Sequence, residues 1–394
     1  MGTPIGITRA GQNSKPTISI VGGGIAGLTA AIALEKTGLS PVVFEAAATV
    51  EPLGAGLVLA SNAMKALKEL GIAEAIMKKG SLLDSFTIND QSGKPIFKKN
   101  SEDIKLAYGL DNFAIHRAEL HQALLSHLKE VPVHTNMRAL SANQDEQGVR
   151  ITFEDGTVHA SDYLIVADGI HSPIRQALAP GSIPRYAGYT CWRAVIDGID
   201  LDLHDAYETW GHKGRFGYVP MDGKKLYWFA CINAPQQSPV MKPYGIAALF
   251  AQFKNFHTPI PEIISSTKNE NLIWNDIMDL KPLKQYAFGK IVLIGDAAHA
   301  TTPNLGQGAC MAIEDAVILA REMNKNHNYT EAFKNYEKRR LKRTHYIIKT
   351  SRLMGRIAQI ENIPVGNLRN TILRVLPSNF NDKQIKALYD IYFS

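Results

Sequence analysis

Thr17-Ile-Ser-Ile-Val21-Gly22-Gly23-Gly24-Ile25-Ala26-Gly27-Leu28 is the stretch that decides the fold. Residues 17–21 read as a short buried strand. Leu28, Ala31, Ile32 and Leu34, at helical spacing, read as a helix that stops at Gly38. Between them lies Gly22-x-Gly24-x-x-Gly27. In this setting the first glycine permits a tight turn, the second lets backbone approach a pyrophosphate, and the third lets the helix pack close to the strand. The helix start, with Ala26 in its first turn, offers free N–H groups and a partial positive charge to phosphates. Pro41-Val-Val-Phe-Glu45 follows as the next strand, completing a βαβ unit of a doubly wound sheet. Glu45 and Ala46 end it about twenty residues downstream, where a carboxylate can accept from both ribose hydroxyls and repels a 2′-phosphate. The expected ligand is FAD or NAD rather than NADP. The plain alternatives are a glycine turn with no ligand and a solvated strand-end glutamate.

Composition bounds the rest. At 394 residues the chain is long enough for roughly two or three domains. Hydrophobic content of 45% and charged content of 20% are those of an ordinary globular protein. A net charge of +6, spread along the chain, favours an anionic ligand only slightly. No zinc-finger or RNP signature supports nucleic-acid binding. Cys191, Cys231 and Cys310 are odd in number and far apart, with no CxxC pair. Neither a disulfide framework nor a metal site is expected, and a reducing cytoplasm fits. No apolar run reaches the ~18 residues of a membrane span.

Along the chain, 61–79 carries helical spacing, and 85–88 and 95–98 flank a probable hairpin at Asp90-Gln91-Ser92-Gly93. A helix from 117 to 129 and strands near 131–134, 149–153, 157–160 and 162–167 follow. Runs at 189–196, 216–220 and 226–232 read as an inserted antiparallel sheet, 245–254 as a helix, and 291–294 as a buried parallel strand. Residues 311–323 and 330–348 are helical, and Pro364 and Pro377 punctuate a helical tail. The expected architecture is α/β. A doubly wound Rossmann-like FAD-binding domain (17–80, 112–182 and 285–350) carries an inserted antiparallel-sheet substrate domain (81–111 and 183–284). A flexible 1–16 segment precedes it, and a C-terminal helical tail, 351–394, follows.

Two further blocks separate FAD from NAD. Ile291-Val-Leu-Ile-Gly295-Asp296-Ala-Ala-His299 is a buried strand entering a Gly-Asp turn, followed by Pro303-Asn304-Leu305-Gly306-Gln307-Gly308-Ala309 and a helix bearing Glu314-Asp315. An Asp there can accept from a hydroxyl chain, and the glycines let backbone N–H groups lie against a flat polar ring. Asp162-Tyr-Leu-Ile-Val-Ala-Asp168-Gly169-Ile-His-Ser172-Pro-Ile-Arg175 is the other block. Together these resemble the motifs of the one-component (class A) FAD-dependent aromatic-hydroxylase-type monooxygenases. The branch resembled is that of zeaxanthin epoxidase, salicylate hydroxylase and urate hydroxylase.

The resemblance implies that Asp296 contacts the ribityl and pyrophosphate region and that Gly306 to Ala309, entered through Pro303, lie beside the isoalloxazine. It implies that Asp168 serves FAD and NAD(P)H binding and that Arg117 contacts the flavin. Val58, in the strand-like stretch after Gly54-Ala55-Gly56, completes the candidate cofactor set with Gly22, Gly24, Ala26, Gly27, Glu45 and Ala46. Cys310 stands where many relatives carry Asn, as a small buried residue or a redox group. No second Gly-x-Gly-x-x-Gly occurs, which fits NAD(P)H visiting the flavin transiently; NADPH is favoured by family habit.

The implied activity is NAD(P)H- and O2-dependent hydroxylation or epoxidation of a small aromatic, heterocyclic or isoprenoid substrate. Hydride reduces FAD, O2 adds at C4a, and the hydroperoxide delivers one oxygen, provided that water is excluded so that it does not collapse to H2O2. The inserted sheet and the 306–308 loop are expected to wall that cavity. A flavin-dependent reductase or oxidase on this scaffold, or a non-catalytic flavin carrier, are the alternatives, and a homodimer is left open.

Substrate-side candidates are fewer. Strand alternation puts Tyr189 and Arg193 on one face and Trp192 on the other. Arg193 either pins an anionic or carbonyl-bearing substrate or is a surface salt-bridge residue. Tyr218 either offers a phenol to that cavity or packs as a strand aromatic. His299 reads as a general base or a structural histidine. The run Lys338-Arg339-Arg340-Leu-Lys342-Arg343 reads as a lipid- or NADPH-phosphate-binding patch or a solvated helix face.

Overall fold

The computed structural model describes residues 15–49, 55–109, 112–198, 205–376 and 385–393. Residues 1–14 of the expected 1–16 lead-in, and Gly54 and Pro377, lie outside these. β1 (Ile18–Val21) enters α1 (Ile25–Lys36) through the glycine turn, and β2 (Pro41–Phe44) returns beside it. Then come β3 (Gly56–Leu59), α2 (Ser61–Glu69), α3 (Ala73–Met77), β4 (Gly80–Leu82), β5 (Ser85–Asp90) and β6 (Pro95–Asn100). α4 (Ser101–Tyr108), β7 (Phe113–His116), α5 (Arg117–Ser126) and β8 (Val133–His134) lead to the meander β9 (Ala139–Asp145), β10 (Gly148–Phe153) and β11 (Val158–Ser161). β12 (Tyr163–Val166) and α6 (Pro173–Leu178) precede the long strands β13 (Arg185–Asp197), β14 (Ala206–Gly211), β15 (Gly214–Met221) and β16 (Lys225–Asn233). Next are α7 (Ile246–Phe253), α8 (Ile260–Ser265), β17 (Ile273–Asp279), β18 (Ala287–Phe288), β19 (Ile291–Leu293) and α9 (Asp296–His299). α10 (Gly308–Lys325), α11 (Tyr329–Ala358) and α12 (Ile363–Val375) complete the order.

The first sheet runs β18-β19-β12-β1-β2-β8, parallel from β19 to β8. Its strands are near-continuous apolar runs because both faces are covered. α1 is buried all round from Ile25 to Leu34, packed between this sheet and α10. The register aligns Val21 with both Phe44 and Val166, and Val166 with Leu293. Gly22, Glu45, Asp168 and Asp296 therefore all emerge at one carboxyl edge. In a doubly wound sheet that edge, where strand order reverses at β1, is the ligand crevice.

The second sheet, β17-β13-β16-β15-β14-β5-β6, is mixed rather than antiparallel throughout, because β14 pairs parallel with β5 from the earlier hairpin. One face buries Trp192, Phe216, Tyr218 and Trp228 under α7 and α8. The other presents Tyr189, Arg193, Arg215, Tyr227 and Phe229 toward the first domain, where Ala55 and Val58 pack against Tyr227 and Phe229.

Three sequence expectations change. The periodic stretch 61–79 is two helices, broken at Gly71 with φ +67°. Helix α11 continues unbroken past residue 350 to Ala358. The basic run is neither a lipid patch nor a solvated face. Lys338 and Lys342 are exposed, but Arg340 is fully buried and Arg339 and Arg343 point to carboxylates and carbonyls. No helix of the described residues is long and apolar enough to cross a membrane, and no His/Cys/Asp/Glu group among them could hold a metal.

Arg340 binds Glu314 Oε2 and Asp315 Oδ1, and Arg343 takes both Glu314 oxygens. Asp315 Oδ2 accepts from the Gly295 N–H at 2.8 Å and bonds His299 Nε2 at 2.5 Å. His299 is thus a buried structural residue. Burial acts to raise the Asp315 pKa, but His299 and Arg340 bring it down to about 2. Breaking a buried pair strands the remaining charge, so Arg340→Ala should cost about 3–5 kcal/mol in denaturant unfolding. Lys338→Ala, two residues and about half a turn away in solvent, should stay within about 0.5 kcal/mol. Equal effects would show that the inward half of the run carries no special weight.

Candidate active site

The three glycines of the first motif do separate jobs. Gly22 has φ +103°, and a Cβ there would sit 2.3 Å from the Ala167 carbonyl, so this turn is pressed against the Asp168 segment. A Cβ on Gly27 would fall 1.9 Å from the Gly22 carbonyl, which fixes helix against strand. A Cβ on Gly24 would meet nothing within 4 Å: that backbone faces open space. Gly295 joins the assembly, since its Cβ would strike Ala26 at 2.7 Å. All three sequence blocks therefore meet around the start of α1. That start has no side-chain cap and no acid in its first turn, and α10 begins likewise at Gln307. Asn328 and Asn362 cap α11 and α12, whereas α2 and α7 share the bare start; what sets α1 and α10 apart is the open glycine beside it. Uncapped N–H groups at a helix start suit an anion or a polar ring.

Glu45 accepts from the N–H groups of Gly23 (2.6 Å) and Ala47 (2.8 Å), one on each oxygen, leaving lone pairs at the crevice end of β2 beside half-buried Ala46. His121, on α5, bonds the Gly23 carbonyl at 2.7 Å and steadies the turn; no motif in the sequence marks it. Both carboxylate oxygens of Asp168 are shut off from solvent and have no hydrogen-bond partner among the described residues. Burial pushes its pKa up to about 6, against weaker opposing pulls from Ser172 and Arg175. Asp296 is exposed at the start of α9, and Arg117 is exposed at the start of α5.

The ring-side loop is built from Pro303 to Ala309. Gly306 turns at φ +64° with open space where a Cβ would stand, and Gly308 begins α10 with its nearest neighbour 4.0 Å away. Gln307 is buried; its Oε1 accepts from Asn62 at 2.9 Å, and its Nε2 has no partner among the described residues. Cys310 ties the loop to β3, accepting from Ala60 N–H and facing the Val58 and Gly306 carbonyls, and burial lifts its thiol pKa to about 12. It packs as a small buried residue between the loop and β3. The fit to FAD is good: an orphaned carboxylate at the sheet edge, an orphaned amide donor at the ring loop, and two uncapped helix starts with open glycines.

Asn304 joins this loop to the second sheet. Its Oδ1 accepts from Tyr189 (3.0 Å) and from Arg215, and its Nδ2 donates to Thr302 and to the Ser351 carbonyl. Arg215 is buried, paired with Glu208 at 2.8 Å. Neither Asn304 nor Arg215 has a motif around it. The one available signal is a charged residue at an inward position of an apolar strand. Arg193 shares this face with Tyr189 and contacts the Cys191 thiol and the Tyr227 phenol. Tyr218 does not: it lies on the opposite face, 5.1 Å from the Tyr207 ring centroid, within the aromatic core. The two candidates proposed from sequence for the substrate side are thus separated by the sheet.

Residues 15–351 match the model of the FAD binding domain family. The chain is 34% identical to the aurachin C monooxygenase/isomerase of Stigmatella aurantiaca, covering 94% of this chain and 97% of that one. It is also 34% identical to the 2-heptyl-3-hydroxy-4(1H)-quinolone synthase of Pseudomonas aeruginosa, covering 92% and 94%. Among solved structures, Klebsiella pneumoniae HpxO complexed with FAD and uric acid superposes with a TM-score of 0.86 at 25% identity, covering 94% and 95%. These matches agree with the clustered glycines and the paired aspartates, and the chain belongs to the FAD-binding-domain family as an FAD-dependent monooxygenase.

Proposed function

We propose that the substrate is a nitrogen heteroaromatic ring bearing a ring oxygen, of the quinolone or hydroxypyridine kind, hydroxylated with NAD(P)H and O2. The observation that carries this reading is the sheet face of Tyr189, Arg193, Arg215, Tyr227 and Phe229, which packs against Ala55 and Val58 and is joined through Tyr189 to Asn304: an aromatic face on which Arg215 is paired with Glu208 and Arg193 supplies the second cation. The names of relatives support it: a quinolone synthase, a 6-hydroxynicotinate 3-monooxygenase and a urate hydroxylase each act on rings of this class.

Bound FAD supplies the hydride-accepting and oxygen-activating chemistry that no side chain here provides. The protein's share is binding, orientation and exclusion of water. The Gly24 turn and the start of α1 hold the pyrophosphate, and Glu45 accepts from the adenosine ribose. Asp168 and Asp296 accept from hydroxyls along the chain between the rings. Arg117, exposed at the start of α5, would contact the flavin. Gly306 to Ala309 present N–H groups to the flat ring, and Pro303 sets the entry to that turn. Arg193 holds the substrate's ring oxygen. The neighbouring Cys191 raises the Arg193 pKa further above its ordinary value, against the pull of burial, so it stays cationic. Tyr227 packs at a tilt against Phe229, ring centroids 6.2 Å apart, and adds apolar surface that would help to exclude water on this face.

A panel of hydroxyquinolones, hydroxypyridines and benzoates, followed by stimulation of NAD(P)H oxidation and product mass, tests the class. Only heterocycles should give oxygenated product; a benzoate as the sole productive ring would overturn it. Arg193→Met should raise KM about tenfold or more with flavin content unchanged, as loss of a charged hydrogen bond requires. Tyr218→Phe should leave kcat/KM within about twofold.

Asp168 gives a pH signature. Its pKa is raised on folding, so the folded apoprotein binds more protons than the unfolded chain between about pH 4 and 6. Apoprotein stability should therefore fall as pH rises through that window, by at most about 3 kcal/mol. Asp168→Asn should abolish the fall and stabilise the apoprotein at neutral pH while weakening FAD binding. A pH-independent difference between the two proteins would contradict the assignment.

A further inference from the structure

Cys191 and Cys231 are far apart in sequence but face each other across β13 and β16. The pairing has no bulge, and its phase can be read at both ends. Ala234 N–H donates to Gly188 C=O, and Gly198 N–H donates to Lys224 C=O, both in the register that aligns 191 with 231. Hydrogen-bonded and non-hydrogen-bonded pairs alternate along an antiparallel ladder. The even-numbered positions of β13 are thus hydrogen-bonded, and 191–231 is a non-hydrogen-bonded pair. Such pairs bring their Cα atoms to about 4.5 Å with side chains close together. That lies within the roughly 4.4–6.8 Å that a disulfide spans. Both cysteines are free thiols, each 1% exposed.

We propose that Cys191 and Cys231 are an oxidative modification site: a cross-strand dithiol that hydrogen peroxide converts to a disulfide on the sheet face that carries Tyr189 and Arg193.

Several further observations support it. Burial alone would raise both thiols, but a hydrogen bond from Cys231, with Arg193 and Arg215 nearby, brings Cys191 down to about 6. Cys231 is raised well above the ordinary thiol value by burial and by its neighbour. Arg193 and Arg215 favour one thiolate on the pair; Cys191, which contacts Arg193, takes the nucleophile's role and Cys231 resolves. Cys310 is the internal contrast, with its pKa raised by burial and no thiol opposite it. The position also matters. Tyr189, two residues before Cys191, and Arg215, opposite Cys231 on β15, both bond Asn304 of the ring loop. Arg193, two residues after Cys191, lies on the same face.

The chemistry balances with peroxide as the oxidant, the product of a flavin monooxygenase turning over without transferring oxygen. The Cys191 thiolate attacks one peroxide oxygen, the O–O bond breaks, and hydroxide leaves to give a sulfenic acid. The Cys231 sulfur then attacks the Cys191 sulfur, forming S–S and expelling the second oxygen as water, with the thiol proton completing the two waters. Two thiols and one peroxide give one disulfide and two waters. The disulfide removes the sulfur anion that faces Arg193 and draws the two strands into a fixed separation.

The site rests on strand register and not on the substrate assignment, and the test separates the two. Holoenzyme is exposed to a small excess of hydrogen peroxide, without turnover, then denatured, alkylated and mapped by mass spectrometry. The alkylated count should fall from three thiols to one, with a 191–231 disulfide peptide and Cys310 still alkylated. NAD(P)H oxidation at saturating substrate should drop about threefold or more, as a small misplacement in a positioned site does. Dithiothreitol should restore it. Cys231→Ser should lose this reversible inhibition; Cys191→Ala serves if that variant does not fold. Three alkylated thiols after treatment, sulfinic acid on Cys191 without the cross-link, or oxidation of Cys310 in step with the pair would overturn the proposal.

Discussion

One carboxylate sets where the ring-side half of the cofactor site stands. Asp315 is buried, held as an anion by Arg340, and spends its second oxygen on the Gly295 N–H and the His299 ring. A buried ion pair of this kind adds little net stability over an apolar core, but it is costly to break. Its use here is positional. It fixes the turn after β19 through two bonds, so the segment carrying Asp296 leaves the sheet at one angle. Glu314, one residue earlier, binds Asn62, which in turn bonds Gln307. The same ionic cluster therefore reaches α2, α9, α10 and α11, and through Gln307 it reaches the ring loop. Arg340 lies at its centre because α11 runs across the back of α10.

The other half of the site follows from parallel register. Once β2, β1, β12 and β19 align at their carboxyl ends, Glu45, Gly22, Asp168 and Asp296 cannot avoid one another. Close glycine contacts then bring the turns together: Gly22 against Ala167, Gly295 against Ala26. Asp168 bears the cost. Its carboxylate is desolvated with no partner, which is unfavourable in an empty protein and sensible in one built to bind hydroxyl donors. Asn304 completes the construction by joining the 303–309 loop to Tyr189 and Arg215, so that loop and the Arg193 face of the second sheet are one hydrogen-bonded unit.

Much of this was legible in the residues alone, for a definite reason. The glycine turn, Glu45, Asp168-Gly169 and Gly295-Asp296 are local: each needs a particular residue at a strand end, and short-range chemistry reveals it. What was not legible is long-range. The inward turn of Arg340 within a run of six mostly basic residues depends on Glu314 and Asp315, 25 residues away or more. Nothing in the run itself distinguishes Arg340 from Lys338. Tyr218 could not be assigned to a face from its own strand, because which face is apolar depends on α7 and α8 covering it. The parallel β14–β5 pairing was hidden because the partner comes from an earlier hairpin. Strands β9 and β14 lack a clean apolar alternation, and β7 is a short run directly before a helix.

The central claim is that FAD lies along the shared carboxyl edge with its ring between the 306–309 loop and the Arg193 face of the second sheet. A crystal structure of the protein with FAD tests it most directly. The account predicts a hydroxyl of the cofactor within hydrogen-bond distance of the Asp168 carboxylate, and the isoalloxazine against Gly306 to Ala309 with Arg193 facing the ring. An Asp168 carboxylate still without a partner, or a flavin ring on the side of the second sheet covered by α7 and α8, would contradict it.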